Sequence, residues 1–276
     1  MNYQRMVVIF VDLLGTKNNT KFENKYRIHR LFHEEARKNE ERNPDHTVFD
    51  RRVYSFSDCA YFFYYFKDGK NHTDIEEMKM LQVAMYNTSQ SLLRILNAGY
   101  LVRGGVALGD SFIDELGFFG PAVEEAYKLE SEYADVPMVA LSCELGQRYC
   151  SFEDNETDDA LVEMMMTSRP RLVEIDIETN KYYLNYFYQL ECFSPELHME
   201  TESINIYGVI HAAREVIDRD KKKYKKSEKK KDGDKKLPKS TIYEKLEWME
   251  EYLSGRHNRL NMDVIGGAFS AVISDN

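Results

Sequence analysis

The stretch Met6-Val7-Val8-Ile9-Phe10-Val11-Asp12-Leu13-Leu14-Gly15 is a continuous apolar run that delivers a carboxylate and then a glycine. Met6 to Val11 reads as a buried strand with Asp12 at its C-terminal end, and Gly15 lets the chain turn. Backbone N–H groups after such a turn, here those of Leu13, Leu14 and Gly15, can hold phosphate while the carboxylate holds the cation that neutralises it. An ordinary strand-to-helix turn has the same appearance. The phrase therefore acquires chemical meaning only if a second carboxylate reaches the same place.

Ser55-Phe56-Ser57-Asp58 supplies one. The aromatic and β-branched run from Val53 to Phe66 is too long for a single typical strand. It reads as a hairpin with Ser57-Asp58-Cys59 at its turn, flanked by strands Val53 to Phe56 and Ala60 to Phe66. Asp12 and Asp58 on adjacent strands of one sheet would repel unless cations lay between them. Such a pair predicts hard, oxygen-seeking ions, Mg2+ or Mn2+.

Further along, Thr20 with Glu23 and Thr73 with Glu76 have capping-box spacing. They open a polar helix over about 21–38 and a long amphipathic helix carrying Ile75, Met78, Leu81, Met85, Leu92 and Leu96, which ends near Gly99. Tyr100 to Leu108 and Ser111 to Ile113 read as two strands turning at Gly109-Asp110. Pro121 opens a helix, and Pro137 to Leu141 is a last strand. This order predicts an α+β fold of ferredoxin-like kind, an antiparallel-rich sheet with helices on one face, over residues 1–142. Residues 143–276 read as a C-terminal α/β extension with a strand over Arg171 to Ile177 and helices over Ile204 to Ile217 and Ile242 to Leu253. Residues 221–236, nearly all Lys, Asp, Glu, Gly and Ser, read as a disordered or helix-extending surface insertion; the alternative is a patch for an acidic partner or nucleic acid.

The 276 residues are 43% hydrophobic, with net charge −10 and pI near 5.3, so a nucleic-acid backbone is not the expected partner. No apolar stretch is long enough to span a membrane or to form a signal-peptide core, which predicts a soluble cytoplasmic protein. The four cysteines, Cys59, Cys143, Cys150 and Cys192, lack the spacing of a zinc site or a disulfide framework.

Two further phrases follow the carboxylates: Arg103-Gly104-Gly105-Val106-Ala107-Leu108-Gly109, then Gly117 to Ala122 running into Val123-Glu124-Glu125-Ala126-Tyr127-Lys128-Leu129-Glu130. With Asp12 and Asp58, in this order, they resemble the class III nucleotide cyclases over about residues 5–142. That family carries two metal aspartates, an Arg-x-Gly strand and a Gly-x-x-Val-Asn-x-Ala-x-Arg helix. The resemblance implies a head-to-tail homodimer with shared active sites and two Mn2+ or Mg2+ ions per site. It also implies Asp12, Asp58 and the Leu13 carbonyl as metal ligands, with Leu13 to Gly15 supporting phosphate.

The departures from the family narrow the substrate. Class III adenylate cyclases place a base-reading Lys four residues before the second aspartate, where this chain has Tyr54. With the Arg103-Gly104-Gly105 and Ala126 to Glu130 phrases, Tyr54 resembles the pyrimidine cyclases of bacterial Pycsar antiphage systems, which make cyclic UMP or cyclic CMP for a separate effector. The family's transition-state Asn and Arg fall on Glu124 and Lys128. Lys128 and Arg103 remain as the candidate cations for phosphate. A catalytically degenerate domain that binds nucleotide or only dimerises is the competing expectation.

Overall fold

The computed structural model describes residues 2–14, 16, 21–42, 48–70, 72–156, 170–192, 196–199, 202–228 and 245–256. The elements run β1 (Gln4–Leu13), α1 (Phe22–Arg42), β2 (Phe49–Phe56), β3 (Cys59–Phe66), α2 (Asp74–Asn97), β4 (Val102–Ile113), β5 (Phe118–Phe119) and α3 (Pro121–Lys128). There follow a wider π turn (Leu129–Tyr133), β6 (Val139–Leu141), α4 (Cys143–Glu156), β7 (Val173–Asp176), β8 (Lys181–Leu184), α5 (Tyr188–Cys192), β9 (Glu196–Met199), β10 (Glu202–Asn205), α6 (Ile206–Glu228) and α7 (245–256). Gly15, Thr20 and residues 229–236 of the Lys-rich stretch lie outside the described residues. Residues 221–228 of that stretch extend α6.

One sheet in the order β2-β3-β1-β4-β6-β8-β7, with β5 beside β4, organises the molecule. Its first four strands are antiparallel throughout, and with α1 and α2 they form the βαββαβ unit of ferredoxin-like folds. The arrangement is consistent with the cyclase-like fold that the resemblance implies. β6 joins β4 in parallel, and β8 joins β6. Residues on both sides of position 142 therefore share one sheet, and the larger of two hydrophobic clusters runs from Val7 to Leu253.

Period two along β1 explains why its apolar run is unbroken. Val7, Ile9, Val11 and Leu13 pack with Ile28 and Phe32 of α1 and with Met78, Leu81 and Met85 of α2. Met6, Val8 and Phe10 pack on the opposite face with Ala122 and Ala126 of α3. The expectation of helices on one face is thus corrected: both parities of β1 are apolar because both faces are covered.

The expected turn at Gly109-Asp110 is also absent, since β4 pairs with β1 without interruption from Val102 to Ser111. Gly109 serves helix docking, because a Cβ there would stand 3.3 Å from Ala122 Cβ. At Gly105 a Cβ would press on the Ala126 carbonyl and lie 2.6 Å from Leu129 Cβ. The reversal comes later, where Asp114 accepts from the Leu116 and Gly117 N–H groups before β5 returns. The capping box at Thr73 and Glu76 is present, and Pro121 opens α3.

Candidate active site

Asp12 follows Phe10 on the α3 face of β1, paired across the ladders with Cys59 of β3 and Arg103 of β4. Asp58 lies at the β2–β3 turn, after Ser57 in a left-handed conformation (φ 59°) that non-glycine residues seldom adopt. Its carbonyl accepts from the Leu13 N–H at 3.0 Å. This bond ties the end of β1 to the turn and brings Asp12 and Asp58 to neighbouring chains at one end of the sheet. Both side chains are partly open to solvent, at 31% and 23%.

Thr16, buried, places its hydroxyl 3.2 Å from the Leu13 carbonyl and against Asp58 Oδ2. Three oxygens thus meet with a single proton among them. Lys25 of α1 approaches from the other side, 3.1 Å from Ser57 Oγ and 4.0 Å from Asp58 Oδ2. Burial alone would raise the Asp58 pKa. Hydrogen bonds from Thr16 and Ser57, with the Lys25 charge, outweigh it and hold the carboxyl below the usual range.

Among the described residues no three His, Cys, Asp or Glu side chains converge as a metal cage. The donors at hand are two carboxylates and the Leu13 carbonyl. Such a set fits Mg2+ or Mn2+, which bind through one or two carboxylates and complete their shells with water and substrate phosphate. Two of the three backbone N–H groups expected to hold phosphate are already used, however; the third, that of Gly15, lies outside the described residues. Leu13 donates to Asp58, and Leu14 donates to the Leu101 carbonyl at 2.9 Å.

Arg103 reaches two carboxylates, with Nη2 4.0 Å from Asp12 Oδ2 and in contact with Glu130 Oε1. Glu130 is almost wholly buried, and this contact is one of charge without an aligned hydrogen bond at that oxygen. Within this chain the Arg103 charge is therefore shared between buried Glu130 and Asp12. It flanks Asp12 and neutralises Glu130. Lys128 points to solvent beside Glu132 at 3.9 Å and is not brought to Asp12 within this chain.

Tyr54 of β2 stands across from Tyr61 of β3. Its ring packs at 5.2 Å from Phe118 and 6.0 Å from Phe63, and its hydroxyl donates to the Asp114 carbonyl at 2.5 Å. Tyr61 lies between Phe10 (4.5 Å) and Phe118 (4.7 Å), and burial pushes its hydroxyl up to about 12. These rings form an aromatic floor on the face that carries Asp12. The Tyr54 hydroxyl is thus committed within the protein.

Sequence reasoning passed over Thr16, Lys25, Cys59, Glu130 and Lys245. Burial, then the Asp12 and Asp58 charges, push the Cys59 thiol up and keep it protonated. Lys245, at the start of α7, is lowered by burial and then by the Arg103 charge, against Asp135 and Glu130. The C-terminal segment therefore reaches the edge of the site. Thr16, four residues after Asp12, was the one of these with a local signal.

The chain matches no family model and no curated protein. Among solved structures it is similar to an adenylate/guanylate cyclase/hydrolase from Silicibacter pomeroyi, with 12% identity over 67% of this chain and 96% of that one, at a TM-score of 0.35. No helix of the described residues is long and apolar enough to cross a membrane.

Proposed function

We propose that the chain is a nucleotide cyclase. In the proposed reaction the ribose 3′-oxygen of a nucleoside triphosphate attacks its own α-phosphorus. The bond from that phosphorus to the bridging oxygen breaks, pyrophosphate leaves with the electron pair, and the hydroxyl proton passes to water. The observation that supports this most is the convergence of Asp12 and Asp58 through the Leu13-to-Asp58 backbone bond, beside an aromatic floor. When bound, two Mg2+ or Mn2+ ions would acidify the hydroxyl and neutralise the triphosphate.

In this reading Asp12, Asp58 and the Leu13 carbonyl hold the ions, while Thr16 fixes the Asp58 carboxylate and the Leu13 carbonyl relative to each other. Lys25 offers a cation to the polyphosphate from the Asp58 side. The Tyr61 and Phe10 rings support the base, and Tyr54 narrows the far end of the floor, which favours a pyrimidine over a purine. A homodimer would bring a second copy's α3, with Lys128, to the open side of the site.

By the resemblance to Pycsar cyclases, we take UTP as the substrate and cyclic UMP as the product, made as an antiphage signal for a separate effector; CTP and cyclic CMP are the alternative. Incubation with each of the four nucleoside triphosphates and Mn2+, followed by mass spectrometry, tests this. Cyclisation of ATP or GTP in place of UTP or CTP would overturn the pyrimidine assignment. Asp12→Ala and Asp58→Ala should each abolish product.

A second reading rests on Arg103 being spent on Glu130 and on Lys128 facing solvent. A degenerate cyclase-like domain could bind nucleotide, or only dimerise, without turnover. It would yield no product with any triphosphate at any metal concentration.

A further inference from the structure

A cavity of about 610 Å3 opens between the β7–β8 hairpin and α7, walled by Tyr182 and Tyr183 on one side and by Trp248 and Tyr252 on the other. Neither Asp12 nor Asp58 lines it, nor does Thr16, Lys25 or Arg103 beside them. Its walls are rigidly set. Trp248 stacks on Tyr252 at 5.3 Å and 8°, meets Tyr183 at 5.6 Å and 82°, and donates its indole N–H to Asp176 Oδ2 at 2.8 Å. Burial works to raise the Asp176 carboxyl, but N–H donation from Trp248, Thr179 and Glu178 holds it below the usual range, so it stays ionised.

The cations of the lining are already used. Arg171 pairs with Asp154, and Arg256, only 3% exposed, binds Glu174 and Glu191. The carboxylates Glu178 and Glu251 line the same cavity, are exposed, and enter no ion pair among the described residues. Aromatic faces attract cations through their quadrupole, and indole does so best. The Glu178 and Glu251 carboxylates in the lining add charge complementarity and would repel an anion.

We propose that this cavity binds a small organic cation, an amine, guanidine or quaternary ammonium, against Trp248, with Glu178 and Glu251 balancing its charge; Tyr252, stacked on Trp248 and already under the Arg256 guanidinium, backs the indole. The proposal stands apart from the cyclase reading and does not require it.

Trp248 is the chain's sole tryptophan, so intrinsic fluorescence of the full-length protein reports on this cavity directly. Choline and agmatine are titrated into the wild type, alongside 3,3-dimethylbutanol, a neutral match for the shape of choline, and UMP as an anionic control. The expected result is a saturable change with choline or agmatine that salt weakens, with little response to the other two. The double variant Glu178→Gln with Glu251→Gln keeps the tryptophan environment and should weaken binding by about tenfold. No saturable change with either cation would overturn the proposal. So would equal binding of the neutral match, binding of UMP in preference to the cations, or unaltered affinity in the double variant.

Discussion

Arg256 and Arg103 each reach two carboxylates, and the contrast between them separates scaffold from site. Arg256 is enclosed: it binds Glu174 and Glu191, lies 4.5 Å over the Tyr252 ring, and its partners are further held by Tyr183 and Asn185. Arg103 is half open: Glu130 beneath it is buried, but Asp12 on its other side faces solvent, as does Asp58 next to Asp12. The enclosed cluster pairs its charges with one another, away from solvent. The open cluster leaves two carboxylates partly exposed at one end of the sheet, which is where a cation gains most.

The largest effect should come from breaking the enclosed cluster. Arg256→Ala leaves two buried carboxylates uncompensated and should cost about 3–5 kcal/mol in urea unfolding. A loss near zero would show that the two clusters do not differ in this way. Next in size is the response of the open cluster to metal. Mn2+ at a hundred times its Kd should stabilise the wild type by about 2.7 kcal/mol, with the gain lost in Asp12→Asn and in Asp58→Asn, read by thermal melting.

Arg103→Gln strands only one buried carboxylate and should cost about 1–3 kcal/mol. Adding Glu130→Gln should return most of that loss, and a double mutant no better than the single would mean that Arg103 and Glu130 are not coupled. The smallest effect is a pH signature. Because the folded Asp58 carboxyl lies below its unfolded value of about 3.9, the folded state binds fewer protons between the two. The Asp58 contribution is therefore complete above about pH 4 and lost as pH falls through the folded value. Asp58→Asn should flatten that part of the acid-unfolding curve.

The residues legible in the sequence were those whose signal is local. The β1 run, the hairpin at Ser57-Asp58, the Thr73 capping box and Pro121 all announce themselves within a few positions. Gly109 misled because glycine has two uses: a turn is visible in sequence, whereas room for Ala122 of a helix arriving later is not. The second face of the sheet was hidden for a related reason, since an apolar run does not say what covers each parity. The fate of the Leu13 and Leu14 N–H groups and the Arg103 contact with Glu130 depend on partners dozens of residues away, fixed only by the strand order.

The strand order also decides where the chain tolerates cutting. The sheet's outer strands are guarded by charge: β2 carries Asp50, Arg51 and Arg52, and β7 carries Glu174 and Asp176. β6, by contrast, is Val139-Ala140-Leu141, fully buried between β4 and β8. Ending the polypeptide after residue 142 would strip β8 away and turn this uncharged strand into a bare rim of unpaired N–H and C=O groups, a template for edge-to-edge aggregation. The half of the chain that contributes neither aspartate thus covers the open side of the sheet that carries both.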